Sequence, residues 1–397
     1  MKVLQINKYP SLKGGTETVL LDTIRLLKDY GHEVILLSTN ECEVVYEPTY
    51  TIMYPDRNTS LIKKMKSLPS FFYNRSAVKV LESVIEKEKP DIAHIHLYHN
   101  SFSNSILPVL KKHKIPVVMT LHEYRQICPS YLLLDKNQHI CEKCIDGNYF
   151  HCMFTRCAKG SFIESTLLTM EMFYRRLFYK TEKYVDEFVC PSNFVYQKHL
   201  AFNKDIADKS VVIYNPVKIY SLKSINKGNY LLYFGRLSRE KGIQTLLSAM
   251  KQLPNVELKV VGVGDFPFSN ISTNVELLGF KRNEELKTII NNALFTIVPS
   301  LSYETFALSC AESISQGTPV IASDIGAIPE IVNHRENGFL FESGNVESLV
   351  NNISEAILLS DEEYVCMVEN GQQSLTEFSE DKYINSLLSI YKELINK

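Results

Sequence analysis

The chain of 397 residues has no apolar run approaching the ~18 residues of a membrane span, which removes an integral membrane helix from the readings. It lacks G-x-G-x-x-G, so a dinucleotide fingerprint is a poor reading of its glycines. No D-x-D occurs, which takes away the usual carboxylate pair for a catalytic Mg²⁺, so no catalytic metal is expected. Neither sign of charge dominates. Lys and Arg number 43 against 45 Asp and Glu, a net charge of −2, so nothing draws the whole chain to nucleic acid and any basic surface is local. The opening, Met1 to Lys8, is too short and too soon interrupted for a signal peptide. The expectation is a cytoplasmic protein whose nine cysteines are thiols or metal ligands rather than disulfides.

What is present describes a globular protein, 45% hydrophobic and 22% charged, long enough for two domains with a core each. Val3 to Ile6 reads as a buried strand and Gly14-Gly15-Thr16-Glu17 as a glycine loop. Leu20, Ile24 and Leu27 then mark a helix from Thr18, and Glu33 to Leu37 is a second strand. Strand, glycine loop, helix, strand opens a Rossmann-like half. The alternation restarts at Tyr230 to Phe234, after a polar stretch at 223–229 that reads as the linker. The domains are therefore set at 1–222 and 223–378, with an amphipathic terminal helix at 379–397.

Four features of the first half bear on chemistry. Pro116 to Leu121 is a strand with His122 at its C-terminal end, where open parallel sheets gather ligands. His94 and His96 share one face of an earlier strand, but no third ligand at a sensible spacing makes them a metal site. The segment 57–81 carries six cations and no acid, interleaved with Leu61, Met65, Phe71 and Phe72. It could lie on anionic lipid or receive a polyprenyl-diphosphate acceptor, and it equally suits a helix with its lysines in water. Between 128 and 157, Cys141-x2-Cys144-x7-Cys152-x4-Cys157 suits a four-cysteine structural zinc, with Cys128 as the spare; free thiols and a redox role stay open.

In the second half, Gly235-Arg236-Leu237-Ser238-Arg239-Glu240-Lys241-Gly242 joins a strand to a helix. An Arg and a Lys five apart across such a turn can converge on a diphosphate, or form a solvated charge cluster. A second strand, Leu294 to Val298, ends in Pro299-Ser300. Beyond it Phe306, Ser309, Cys310, Ser313 and Ile314 repeat at helical spacing up to Gly317 and Pro319. Glu304 stands at the mouth of that helix and Glu312 two turns in. The amides expected to be free, near Phe306, Ala307 and Leu308, suit an anion.

Glu304 to Glu312, with Gly317-Thr318-Pro319 and Gly326-Ala327-Ile328-Pro329-Glu330, resembles the C-terminal domain of family-four retaining glycosyltransferases. Gly-Arg…Glu-Lys-Gly at 235–242, Gly14-Gly15 and His122 extend that resemblance over nearly the whole chain. It implies two Rossmann-like domains facing a cleft, the glycosyltransferase-B architecture. It also implies that Arg236 and Lys241 hold the donor diphosphate, Glu304 the sugar hydroxyls and Glu312 the ribose. Gly14, Gly15 and Gly235 would lie near the donor phosphates, His122 near the sugar, and the terminal helix would return to the first domain. The family often has glycines beside its phenylalanine, where this chain has Thr305 and Ala307. The implied activity is retaining transfer from a nucleoside diphosphate sugar, UDP- before GDP-mannose, to a lipid-linked or surface polysaccharide at the inner face of the membrane. A nucleotide-sugar epimerase and a silent sugar-binding scaffold are the alternatives from other classes.

Overall fold

The computed structural model describes residues 1–11, 14–40, 46–53, 68–222 and 225–397. They form two compact units, Met1–Leu132 with Glu142–Pro216 and Asp381–Lys397, and Leu133–Cys141 with Val217–Glu380. The chain passes from the first unit to the second at Pro216 and Val217. The Val217 amide donates to the Phe378 carbonyl at 2.8 Å, and Val217 bridges Ser379, which ties the chain after Pro216 into the second unit. The 57–81 segment expected to meet lipid lies partly outside the described residues.

The first unit is a seven-stranded parallel sheet built from β1 (Lys2–Ile6), β2 (Glu33–Thr39), β3 (Tyr50–Ile52), β4 (Ile92–Ile95), β5 (Val117–Thr120), β6 (Glu187–Cys190) and β7 (Ser210–Val212). The order is β3-β2-β1-β4-β5-β6-β7. Parallel strands covered on both faces read as continuous apolar runs, and β4 and β5 are buried at every residue. Helix α1 (Gly15–Asp29) starts three residues before the apolar spacing suggests. The extended Gly14 offers its carbonyl to the Thr18 amide, so the glycine pair opens the helix instead of forming a separate loop. Two shorter helices, α2 (Phe150–Thr155) and α3 (Phe162–Tyr174), follow β5, and within the cysteine-rich segment 128–157 only α2 is an α-helix.

The second unit repeats the plan with six parallel strands: β8 (Tyr230–Phe234), β9 (Glu257–Val261), β10 (Val275–Gly279), β11 (Phe295–Val298), β12 (Val320–Ser323) and β13 (Gly338–Phe341), in the order β10-β9-β8-β11-β12-β13. Helix α4 (Ile243–Met250) follows β8, and α5 (Leu308–Ser315) follows β11. In each sheet the strand order reverses once, between β1 and β4 and between β8 and β11. Loops leaving the C-terminal ends of strands at such a reversal diverge and leave a crevice for ligands.

The last helix, α6 (Glu380–Ile395), completes the first unit. Tyr383, Ile384, Leu387, Leu388 and Tyr391 pack on Val3, Leu27, Ile92 and Val118. Two buried hydroxyls fix its register: Tyr383 Oη meets Thr23 Oγ1 at 2.6 Å, and Tyr391 Oη meets His94 Nδ1 at 2.6 Å. Among the described residues no helix is long and apolar enough to cross a membrane.

Candidate functional site

The reversal in the second sheet brings together two loops that the sequence holds far apart. After β8 the chain runs through Gly235 and Arg236 into a short turn, Arg239–Lys241, and α4 begins beyond Gly242. Gly242 has φ 70°, and a Cβ there would stand 1.6 Å from the Pro299 carbonyl oxygen, so only glycine lets the two backbones meet. The Leu301 amide adds a bond to the Glu240 carbonyl at 2.9 Å. This stitch delivers Lys241 to Glu304: Lys241 Nζ donates to Glu304 Oε1 at 2.6 Å, and Ser300 Oγ donates to the same oxygen at 2.5 Å. Behind Glu304, Gly326 at φ 64° packs its Cα where a Cβ would lie 2.5 Å from the Glu304 amide. The Ala327 amide donates to the Glu304 carbonyl. The backbone of Glu304 is therefore gripped from both sides.

Burial alone would raise the Glu304 carboxyl, but the Lys241 ammonium, its hydrogen bond, the Ser300 hydroxyl and the charge of Arg236 outweigh it. The net shift is below the ordinary carboxylate range. Glu304 is thus an anion whose charge depends on the cation beside it. Arg236 is half exposed and bonded to Glu240, which holds its guanidinium on the turn. The Tyr233 hydroxyl donates to the Arg236 carbonyl at 2.8 Å and anchors the same turn from beneath. The Gly235 amide is spent on the Val261 carbonyl, so at Gly235 the backbone serves the sheet.

Helix α5 begins at Leu308, two residues later than the sequence spacing suggests. Phe306 is buried, its ring edge-on to Phe378 with centroids 5.5 Å apart, so its side chain belongs to the core. Ala307 caps the helix in the left-handed region at φ 57°. Glycine adopts that conformation freely, whereas an alanine there costs about 1 kcal/mol, so the loop holds Ala307 against its own backbone preference. The Cys310 amide already bonds to the Ala307 carbonyl. The first two amides of the helix itself are therefore those of Leu308 and Ser309, and Leu308 belongs to the expected set Phe306–Leu308. Glu312 lies half-buried on the second turn of α5.

In the first unit Gly14 and Gly15 sit past the C-terminal end of β1, and His96 and His122 past β4 and β5. The imidazoles form a chain. Gln5 Oε1 accepts from His96 Nε2 at 2.8 Å, so His96 Nδ1 accepts from His122 Nε2–H, also at 2.8 Å. That assignment leaves His122 Nδ1 as an acceptor. His94, its ring 4.4 Å from that of His96, bonds to Thr120 Oγ1 and Tyr391 Oη. Both strand histidines are thus engaged in hydrogen bonds within the sheet.

Cys144, Cys152, Tyr149 and Met172 form an apolar cluster with Cys157 against it. The Cys152 thiol is raised, first by its hydrogen bond with Cys157 and then by burial, and it lies within electrostatic reach of Cys128 and Cys144. Cys157 also meets Thr155 Oγ1 at 2.9 Å. Cys141 falls in the other compact unit. Among the described residues no group of three or more His, Cys, Asp or Glu side chains is arranged to hold a metal ion.

Sequence reasoning missed Ser300, Tyr233, Glu240 and Gln5 as members of these networks. For Ser300 a signal existed, since it lies four residues before Glu304 at a strand exit. Gln5 gave only an unexplained polar residue in an apolar strand.

Two family models match the chain: "Glycosyltransferase Family 4" over residues 13–219 and "Glycosyl transferases group 1" over residues 218–374. An uncharacterised glycosyltransferase of Methanocaldococcus jannaschii is 27% identical over 404 residues, 99% of each chain. A 42.6 kDa protein of the Klebsiella pneumoniae cps region is 23% identical, over 86% of this chain and 90% of its own. Among solved structures, HepE of Anabaena in complex with UDP superposes with a TM-score of 0.69 at 17% identity, over 99% of this chain and 100% of that one.

The histidine chain makes the first unit acid-sensitive. Burial lowers His94 and His122 to about 3, and His96 well below its ordinary value, so all three are neutral at pH 7. The unfolded chain takes up protons near pH ~6.5 and the folded one does not. Stability is therefore full above that pH and falls by about 1.4 kcal/mol per pH unit for each of His94 and His122 as pH drops from there toward 3, with His96 acting in the same direction. The Glu123 carboxyl, raised by burial, offsets part of this. Hydrogen exchange at pH 7 and pH 5 should show the first unit losing protection while the second changes little. Equal loss in both units would contradict the assignment.

Proposed function

The chain belongs to glycosyltransferase family four, and on that premise we propose that it transfers a hexose from a UDP-sugar with retention of configuration. The observation that carries the reading is the convergence of Lys241, Ser300 and Glu304 at the strand-order reversal of the second sheet, beside the N-terminus of α5. A cation, a helix end and a carboxylate side by side match a ligand with an anionic diphosphate next to a hydroxylated ring. Lys241 and Arg236 bind the diphosphate, Lys241 as a point charge and Arg236 as a fork once it leaves Glu240. Leu308 and Ser309 offer amides to the same phosphates. Glu304 accepts from sugar hydroxyls, and Glu312 accepts from the ribose.

In the transfer, the bond from the anomeric carbon to the β-phosphate oxygen breaks, and a bond to the acceptor hydroxyl oxygen forms on the same face. The acceptor proton passes to the departing phosphate, so no separate base is called for. Fixed cations and amides stabilise the charge that grows on the leaving group. For the first unit taken alone, the proposal is that the Gln5–His96 chain fixes His122 as an acceptor for a donor-sugar hydroxyl.

UDP is favoured because a solved relative in fold carries it. The proposed acceptor is a lipid-linked or surface polysaccharide; a relative similar to this chain is described as a protein of a cps region, and another as an amylovoran biosynthesis glycosyltransferase. A structural zinc in the cysteine-rich segment stays a proposal. It is supported by the packing of Cys144 and Cys152 in one cluster with Cys157 against it, the fourth thiolate coming from Cys141 or from Cys128. Four thiolates would leave no open position for substrate, so such a metal would only hold the loop.

Lys241→Ala should lower kcat by about 10²-fold or more with the UDP-sugar that binds best in a donor panel, because one preorganised charge contact is lost. Unchanged turnover at saturating donor would remove Lys241 from the chemistry. For the metal, elemental analysis of protein purified without added zinc should find about one zinc per chain, lost in Cys144→Ser with Cys152→Ser. A value near zero in folded, active protein would leave the cysteines as plain thiols.

A further inference from the structure

Helix α3 is inside out. Its buried face is polar: Ser165, Thr169 and Glu171 point inward with Met172, followed by the fully buried Arg175 in the wide turn Arg175–Tyr179. Glu171 bonds there with Arg125 at 3.3 Å and with Asn104 at 3.2 Å. Arg175 donates to Gln126 Oε1 and to the Arg125 carbonyl. The outward face is apolar. Ile163 is 80% exposed, Met170 57%, Leu177 71% and Phe178 62%, with Leu167 and Tyr174 half-buried between them.

Positions 163, 167, 170, 174, 177 and 178 follow one side of a helix. A surface helix of a globular protein is arranged the other way round, with its apolar stripe toward the core. Phe150 and Phe154 of α2, 51% and 70% exposed, widen the patch, and the Phe150 ring rests 5.0 Å from that of Phe173. Phe72 packs edge-on against Tyr174, with centroids 5.5 Å apart, so the end of the basic segment adjoins the stripe. Exposed apolar surface this contiguous marks an interaction site.

The charges around it name the partner. Arg156 and Lys159 just before α3, and Lys180 and Lys183 just after the turn that follows it, are exposed, with Glu164 the one exposed carboxylate between Phe150 and Lys183. Leucine, isoleucine and phenylalanine flanked by lysine and arginine suit the headgroup boundary of an anionic bilayer, apolar side chains in the acyl edge and cations on the phosphates. A second copy of this chain fits less well, because a two-fold pairing of the patch would set the same cations against each other.

We propose that the outward face of α3, with Phe150 and Phe154, docks the protein on an anionic membrane surface. The proposal stands independently of the donor site. It gives the chain a surface-lying attachment in which no helix crosses the bilayer.

The test is flotation of the full chain with phosphatidylcholine vesicles, with and without phosphatidylglycerol. Wild type should float with the phosphatidylglycerol vesicles and lose binding as salt rises. Leu177→Ser with Phe178→Ser should weaken binding about tenfold or more, and Lys180→Gln with Lys183→Gln by roughly fivefold per charge. All four side chains are exposed, so circular dichroism should be unchanged. Three results would overturn the proposal: no flotation of the wild type, flotation of the Leu177→Ser/Phe178→Ser variant equal to wild type, or a dimer by light scattering that this variant dissolves.

Discussion

The second unit depends on one contact, the Lys241 ammonium against the Glu304 carboxylate. Neither group is well placed alone. Without its cation the carboxylate would lose the strongest counterweight to burial, which pushes its pKa upward, and a lysine without its carboxylate would swing into solvent on a four-carbon stem. Held together at 2.6 Å, and joined by Ser300, each fixes the other before any ligand arrives. The glycines at 242 and 326 exist for this contact, since a side chain at either would push one of the two loops away. Arg236, paired to Glu240 on the same turn, is the second cation of that arrangement.

The pair also sets what the site can do. A lysine already balanced by a carboxylate does not attract every anion. It favours a ligand whose phosphates meet the cation while its hydroxyls satisfy the carboxylate, and a bare phosphate does only half of that. The same logic of mutual satisfaction runs through the first unit, where neutral imidazoles bond in sequence from Gln5 to His122 and the terminal helix seals His94 with Tyr391. There the absence of charge is the constraint. Burial keeps the rings neutral, and neutrality fixes which nitrogen of His122 donates and which accepts.

Much of this was legible in the residues. Parallel strands announce themselves as short apolar runs, so β1, β5, β8 and β11 could be read directly, and the Gly-Arg…Glu-Lys-Gly turn marked one of the two loops that meet at the reversal of the second sheet. The limits were physical. Lys241 and Glu304 are 63 residues apart, and no periodicity states that they bond. Helix α5 begins late because Ala307 takes a left-handed backbone, a choice imposed by the loop and not by alanine's own preference. Helix α3 showed its apolar residues but not which face was outward, because a core helix and an interfacial helix share one spacing. The cysteines showed their number and spacing, but not that three of them would gather with a tyrosine and a methionine.

The central claim is that Glu304 reads the sugar while Lys241 and the start of α5 read the diphosphate. Titration calorimetry of UDP, and of the UDP-sugar that binds best, into wild type, Glu304→Gln and Glu312→Gln tests it most directly. Glu304→Gln should weaken the UDP-sugar more than UDP, and Glu312→Gln should weaken both alike because both carry the ribose. Equal losses for the two ligands in Glu304→Gln would contradict it.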